Sequence, residues 1–145
     1  MSDAAVRVAV AATLLWLGMV LAISFLEAPL KFRAPGLDLR VGLAIGRLVF
    51  RALNIAEVGW AVVIAVCLGL DPQSAAVTAL ACVLAVVLIV QLAAVRPRLN
   101  RRSDQVFASP EGQAPPRSRA HHAYIALETL KVAALIALSC FLFTA

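Results

Sequence analysis

Four side chains that could bind or transfer a proton recur at helical spacing near the carboxyl-terminal end of the chain. They are separated by three, four and three residues, and they are His121, Tyr124, Glu128 and Lys131. On a helix, this spacing forms one stripe about 80° wide. Burial and mutual pairing tune such groups for acid–base work or for ion binding. The spacing alone indicates no particular reaction.

A second stripe lies in the preceding half of the chain. Arg47, Arg51 and Asn54 fall within about 60° of each other on a helix, with Glu57 at the edge of the stripe. We expect Glu57 and Lys131 to lie close together and somewhat deeper than Arg51 and Glu128, which should share a shallow depth. Glu27 closes an earlier apolar segment and could reach either arginine.

Together these groups predict a charged seam of three acids and three bases that pair across the interior of a helical bundle. Its six members are Glu27, Arg47, Arg51, Glu57, Glu128 and Lys131. With Asn54, His121 and Tyr124 they form the candidate binding site or ion pathway, the usual role of ionisable groups inside a membrane. We expect the first and third helices mainly to shield the seam from lipid.

The histidines and cysteines predict neither a metal site nor a haem site. His121 and His122 are the two histidines of the chain, and adjacent residues on a helix point about 100° apart, so they cannot clamp one metal ion. The three cysteines lack the spacing of metal ligands. Serine-nucleophile, phosphate-loop, dinucleotide-binding and metalloprotease patterns are also absent from the sequence.

The composition excludes a water-soluble domain. Of 145 residues, 63% are hydrophobic and 14% are charged, and the mean hydropathy is +0.94. Soluble domains average about half apolar and about a quarter charged residues, and a small domain cannot hide such an excess in its core. Intrinsic disorder is excluded as well, because it needs low hydropathy and high charge density.

The sequence predicts an all-α, four-helix transmembrane bundle, because a helix of about 20 mostly apolar residues crosses the hydrocarbon core. We predict one transmembrane domain over residues 1–145, with spans at about 8–27, 48–70, 72–95 and 123–145.

Local signals set the expected ends of these spans. Pro29 and the Ala34-Pro35-Gly36 turn should close the first helix, and Asp71 should be the N-cap of the third, with Pro72 at its first position. Arg96-Pro97 should end the third helix. A short interfacial helix is expected over Pro97–Phe107.

The basic residues predict the orientation. Nine Lys and Arg residues fall in two loops, residues 31–40 and 96–120, against Arg7 alone on the other side. By the positive-inside rule these loops are cytoplasmic and both termini are non-cytoplasmic. The net charge of +5 is then explained by anionic lipid headgroups at the basic loops, and no nucleic-acid partner is predicted.

Three stretches of the sequence resemble a family of small, uncharacterised, four-span bacterial inner-membrane proteins. One run begins at Glu27 with EAPLKFRAPG, a second covers 46–57 with GRLVFRALNIAE, and a third covers 118–131 with SRAHHAYIALETLK. The resemblance covers most of the chain. It implies four spans and a bacterial inner (plasma) membrane, and it implies no substrate.

The leading functional hypothesis is that the seam binds or moves a small polar or ionic solute, for example protons. Because four spans enclose little volume, a transport pathway would need a homo-oligomer. One alternative is a membrane-embedded enzyme, or a redox or assembly accessory subunit, that acts on a lipid-soluble partner. A purely structural seam that fixes helix register also remains open.

Overall fold

The computed structural model describes residues 3–110 and 119–144, and this part of the chain is helical without any strand. Its segments, in chain order, are α1 (Asp3–Val20), a π-helical segment (Leu21–Glu27), α2 (Ala28–Lys31), α3 (Leu39–Leu70), α4 (Ala75–Val90), a second π-helical segment (Gln91–Val95), α5 (Arg96–Ala108) and α6 (Arg119–Phe143). The predicted all-α class is confirmed. Residues 111–118 of the predicted 96–120 loop, and residue 145 of the predicted fourth span, lie outside the described residues.

Four helices within the described residues are long and apolar enough to cross a membrane. We call them the first to fourth spans, and they are Ala4–Lys31, Leu39–Leu70, Ala75–Ala108 and Arg119–Phe143. Each extends past its predicted limit at the end that carries the basic residues. Hydropathy marks where a helix leaves the apolar phase, and these helices continue as polar turns beyond that point.

Two prolines do not end their helices as predicted. The first span continues past Pro29 to Lys31, and the third continues past Pro97 to Ala108. In both cases a π-helical segment comes directly before a new α-helical turn, and the proline sits at the first or second position of that turn. A proline there lacks only an N–H that the start of a helix leaves unused. The predicted short helix over Pro97–Phe107 lies within α5, where Val106 is buried.

The turn between the second and third spans is capped differently from the prediction. Asp71 follows the end of α3 in a non-helical conformation, and Ser74 is the N-cap of α4. The Ser74 hydroxyl accepts a hydrogen bond from the Val77 backbone N–H at 3.4 Å. Since the residue before a proline is pushed away from helical geometry, Pro72 separates Asp71 from the helix start.

The spans form a bundle whose apolar core lies toward the two chain termini. α1 packs against α3 and α6, while α4 packs against α6 and α3. The large fully buried side chains of this core include Trp16, Val20, Leu84, Leu135, Leu138 and Leu142. Large apolar side chains such as Leu48 and Leu70 are instead exposed on the outer faces, as expected for helices in contact with lipid.

We expect Gly36→Ala to lower the free energy of unfolding by about 1 kcal/mol, because Gly36 has a φ of 77° and an L side chain strains that conformation. The matched control is Gly59→Ala in α3, where an added Cβ would meet nothing within 4 Å. Reversible SDS unfolding in mixed micelles measures both variants. Equal stability of the two would contradict the turn geometry.

Candidate functional site

The site is built around one lysine that holds two carboxylates inside the bundle. Lys131 Nζ lies 2.5 Å from Glu57 Oε1 and 2.8 Å from Glu128 Oε1. All three side chains are at most 2% exposed. Glu128 and Lys131 are three residues apart on the fourth span, so they share one face, and Glu57 reaches them from the second span. The predicted proximity of Glu57 to Lys131 is found in the structure.

The first and third spans also contribute polar groups to this cluster, which the sequence analysis did not anticipate. The Trp16 indole Nε1–H donates to Glu57 Oε1 at 3.0 Å. The Gln91 amide Nε2–H donates to Glu128 Oε1 at 2.5 Å. The expectation that these two spans mainly shield the seam is therefore wrong, since each also donates a hydrogen bond to one of its carboxylates. We call Trp16, Glu57, Gln91, Glu128 and Lys131 the central cluster.

The sequence contains a signal for Trp16 and for Gln91, the two cluster residues that were not predicted. Gln91 is the one amide side chain between Ala75 and Val95, in a segment that is otherwise almost wholly apolar. Trp16 is the one aromatic residue with a polar hydrogen between Val8 and Leu26. A buried indole N–H or amide usually finds a partner, so each could have been assigned to the seam.

The central cluster lies at one level of the bundle. We call the ends of the spans near the two chain termini the terminal side, and the opposite ends, which carry the basic residues, the basic side. At a rise of about 1.5 Å per residue, the cluster members lie about 18–24 Å from the helix ends on the terminal side. The apolar core fills the bundle between the cluster and that side. Toward the basic side polar and apolar side chains are both buried, with Asn54 and Tyr124 each less than a tenth exposed beside Leu53 and Val95. The cluster is therefore closed off by apolar packing on the terminal side and bordered by a mixture of polar and apolar side chains on the basic side.

Several polar atoms of the site have no hydrogen-bond partner among the described residues. They are Glu57 Oε2, Glu128 Oε2 and Gln91 Oε1. All three are acceptor oxygens that belong to the central cluster. Each of these oxygens has the capacity to accept a further hydrogen bond or to contact a cation.

Charge counting likewise allows a proton or a cation at the cluster. With both carboxylates ionised, one ammonium faces two negative charges, so the cluster would carry a net charge of −1 in a buried site. An uncompensated charge inside a bilayer is costly. The cluster is neutral when one carboxyl group holds a proton or when one monovalent cation joins it.

The other predicted members of the seam have different partners. Glu27 pairs with Lys31, one turn away on its own helix, at 3.2 Å. Arg47 pairs with Asp104 at 2.8 Å, because the third span continues through α5 and brings Asp104 alongside. Arg51 is exposed. The six-member seam is therefore wrong in its extent, and three of its members meet.

The remaining predicted residues border the cluster on its basic side. The Tyr124 ring packs edge-on against Phe50, with 5.4 Å between the ring centroids. Asn54 is buried one helical turn from Glu57. His121 is half-buried, and its ring lies 6.0 Å from that of His122, centroid to centroid.

Both π-helical segments flank the central cluster. Gln91 is the first residue of the second segment, and the first segment, Leu21–Glu27, begins five residues after Trp16. A π-helical turn interrupts the regular α-helical ladder and is often found at functional sites. The two spans that donate the neutral hydrogen bonds are thus the two spans whose ladders are interrupted beside the site.

Comparisons with protein-family models, with curated proteins and with solved structures find no match.

Proposed function

We propose that this protein is a multi-pass membrane protein that binds an exchangeable proton at its central cluster and moves protons across the membrane through this cluster. The observation that carries the proposal is that Lys131 is shared by two buried carboxylates. One ammonium neutralises one of them. A proton on the other neutralises the site.

A proton suits the cluster better than a larger solute. The Lys131 ammonium contacts both carboxylates directly, which leaves Glu57 Oε2 and Glu128 Oε2 as the unused positions. These are acceptor oxygens, so they attract a proton or a cation and repel an anion. Each carboxyl group can hold the proton while the other pairs with Lys131, so the proton can pass between two spans without a net change in charge.

The polarity of the groups around the cluster supports proton exchange between the cluster and the basic side. Buried polar groups, among them Asn54 and Tyr124, lie on that side, whereas apolar side chains close the terminal side. Movement through the terminal side would require a rearrangement of the bundle. The π-helical segments beside Trp16 and Gln91 are the places where the helices can adjust most easily.

The setting of this activity belongs to the same proposal. We place the protein in a bacterial inner membrane, with the basic ends of its spans in the cytoplasm and both termini outside, as the distribution of Lys and Arg favours. We also propose a homo-oligomer, since four spans enclose little room for a continuous pathway.

Infrared difference spectroscopy on the purified protein tests proton binding. We expect the carbonyl band of a buried, protonated carboxyl group in the wild type, because one acid of the cluster is neutral. Glu57→Gln and Glu128→Gln should each abolish this band, since the remaining carboxylate then pairs alone with Lys131. The matched control is Glu27→Gln, which changes the partly exposed carboxylate beside Lys31 and should leave the band intact.

Proton movement is measured in proteoliposomes that contain a pH-sensitive dye and carry an imposed potassium diffusion potential. We expect wild type and Glu27→Gln to acidify or alkalinise the lumen faster than protein-free vesicles. Glu57→Gln and Glu128→Gln should match the protein-free vesicles. Folded cluster variants that keep the wild-type band and the wild-type flux would overturn the proposal.

A further inference from the structure

A groove on the outer surface of the bundle lies between the second and third spans, near their basic ends. Its volume is about 710 Å³. Three arginines, two asparagines and several apolar side chains line it. The arginines are Arg47, Arg51 and Arg96, and the apolar side chains include Ile55, Val58 and Leu92. No member of the central cluster lines the groove, and Asn54 lies between the two features.

The two walls of the groove change from basic to apolar in the same direction. On the second span, Arg47 and Arg51 lie nearer the basic end, and Ile55 and Val58 lie further into the bundle. The third span runs in the opposite direction, so Asn100 and Arg96 lie near the basic end and Leu92 lies further in. The groove therefore has a cationic end at the membrane surface and an apolar end toward the membrane centre.

Positive charge at the cationic end exceeds the negative charge available to it. Asp104 pairs with Arg47, and Arg96 donates to the Phe50 backbone oxygen at 2.6 Å. Arg51 makes no hydrogen bond or ion pair with the described residues. Arg96 lies within electrostatic range of both other arginines and of the Glu57 carboxylate. Even with Glu57 ionised, three guanidinium groups stand against two carboxylates, so like charges remain close together unless an anion joins them.

The guanidinium groups retain donors that suit a phosphate. Each has five N–H donors in a planar fork, and the Arg51 side chain is exposed. The apolar part of the wall is open to lipid, with Leu48 68% and Ile55 67% exposed. Basic pockets between transmembrane helices at the cytoplasmic side are a known setting for acidic headgroups.

We infer that this groove binds one anionic phospholipid, with its phosphate on Arg51 and Arg96 and an acyl chain along Ile55, Val58 and Leu92. The general attraction of basic loops to acidic lipids would be weakened equally by the loss of any exposed arginine. Binding in this groove would be weakened only by the loss of an arginine that lines it. The inference does not depend on the proposed proton binding.

Native mass spectrometry of the full chain, released from nanodiscs, tests the inference. The nanodiscs contain phosphatidylglycerol and phosphatidylcholine in equal amounts and with identical acyl chains. We expect the wild type to retain phosphatidylglycerol in preference to phosphatidylcholine. Arg51→Gln should reduce that preference about tenfold, the effect of one lost charge-assisted hydrogen bond. Arg51 is exposed, so its replacement leaves the packing intact.

The matched control is Arg98→Gln on the same helix as Arg96. Arg98 is exposed, does not line the groove, and donates to the Ala94 backbone oxygen within its own helix. This variant should keep the wild-type preference. An equal loss in Arg98→Gln and Arg51→Gln would overturn the inference, since it would indicate a diffuse charge effect. So would equal retention of both lipids by the wild type, or displacement of the bound lipid by inorganic phosphate alone.

Discussion

Replacing Lys131 by methionine should destabilise the bundle by about 3–5 kcal/mol, the cost of removing one partner from a buried ion pair. Methionine fills a similar volume but leaves the ionised carboxylate of the Glu57 and Glu128 pair without a cation. Both are fully or almost fully buried, so water cannot compensate for the lost charge. Reversible SDS unfolding in mixed micelles measures the loss.

Lys31→Met is the matched control, because Lys31 is the other lysine of the chain. It pairs with Glu27, whose side chain is one-third exposed and can be hydrated when the lysine is removed. We expect a loss of at most about 1 kcal/mol there, as for partly exposed pairs in general. Equal losses in the two variants would contradict the central role of Lys131.

Helical periodicity predicted that acids and bases meet inside the bundle, but it did not predict which residues the site includes. Glu128 and Lys131 are close on one helix because their separation is fixed by the helix itself. Glu57 could be placed beside them because it and Lys131 were expected at the same depth. Both inferences rest on backbone geometry, which the sequence specifies strongly.

The partners of the long side chains were not predictable in the same way. Glu27 and Arg47 each reach several neighbours, and the choice depends on where the helices end. Pro29 and Pro97 indicated early ends. The π-helical segments instead let both helices continue, and Asp104 then lies within reach of Arg47. Hydropathy and proline positions do not encode such a continuation.

The neutral members of the cluster were missed for a different reason. Trp16 and Gln91 lie in segments that hydropathy treats as uniformly apolar, and neither carries a charge. Their importance follows from the carboxylates they contact, which belong to other spans. A search for lone hydrogen-bond donors in apolar spans would have found both of them.

The double variant Glu57→Gln and Glu128→Gln should be much less stable than its two single variants predict. Each single variant leaves one carboxylate paired with Lys131. Since we propose that one carboxyl group of the wild type is already neutral, each single change should cost at most about 1 kcal/mol. The double variant leaves a buried ammonium with two amides and no counter-charge, which should cost about 3–5 kcal/mol.

The coupling between the two positions is therefore the quantity to measure, and we expect about 2 kcal/mol, within the range found for residues in one network. Adding Lys131→Met to the double variant removes the uncompensated charge and should restore most of the lost stability, because neutral replacements of a buried charged group are often tolerated. Additive losses without coupling, or single variants as unstable as the double, would mean that both carboxylates are ionised together. In that case the cluster would need a second cation, and a shared proton could not be its ligand.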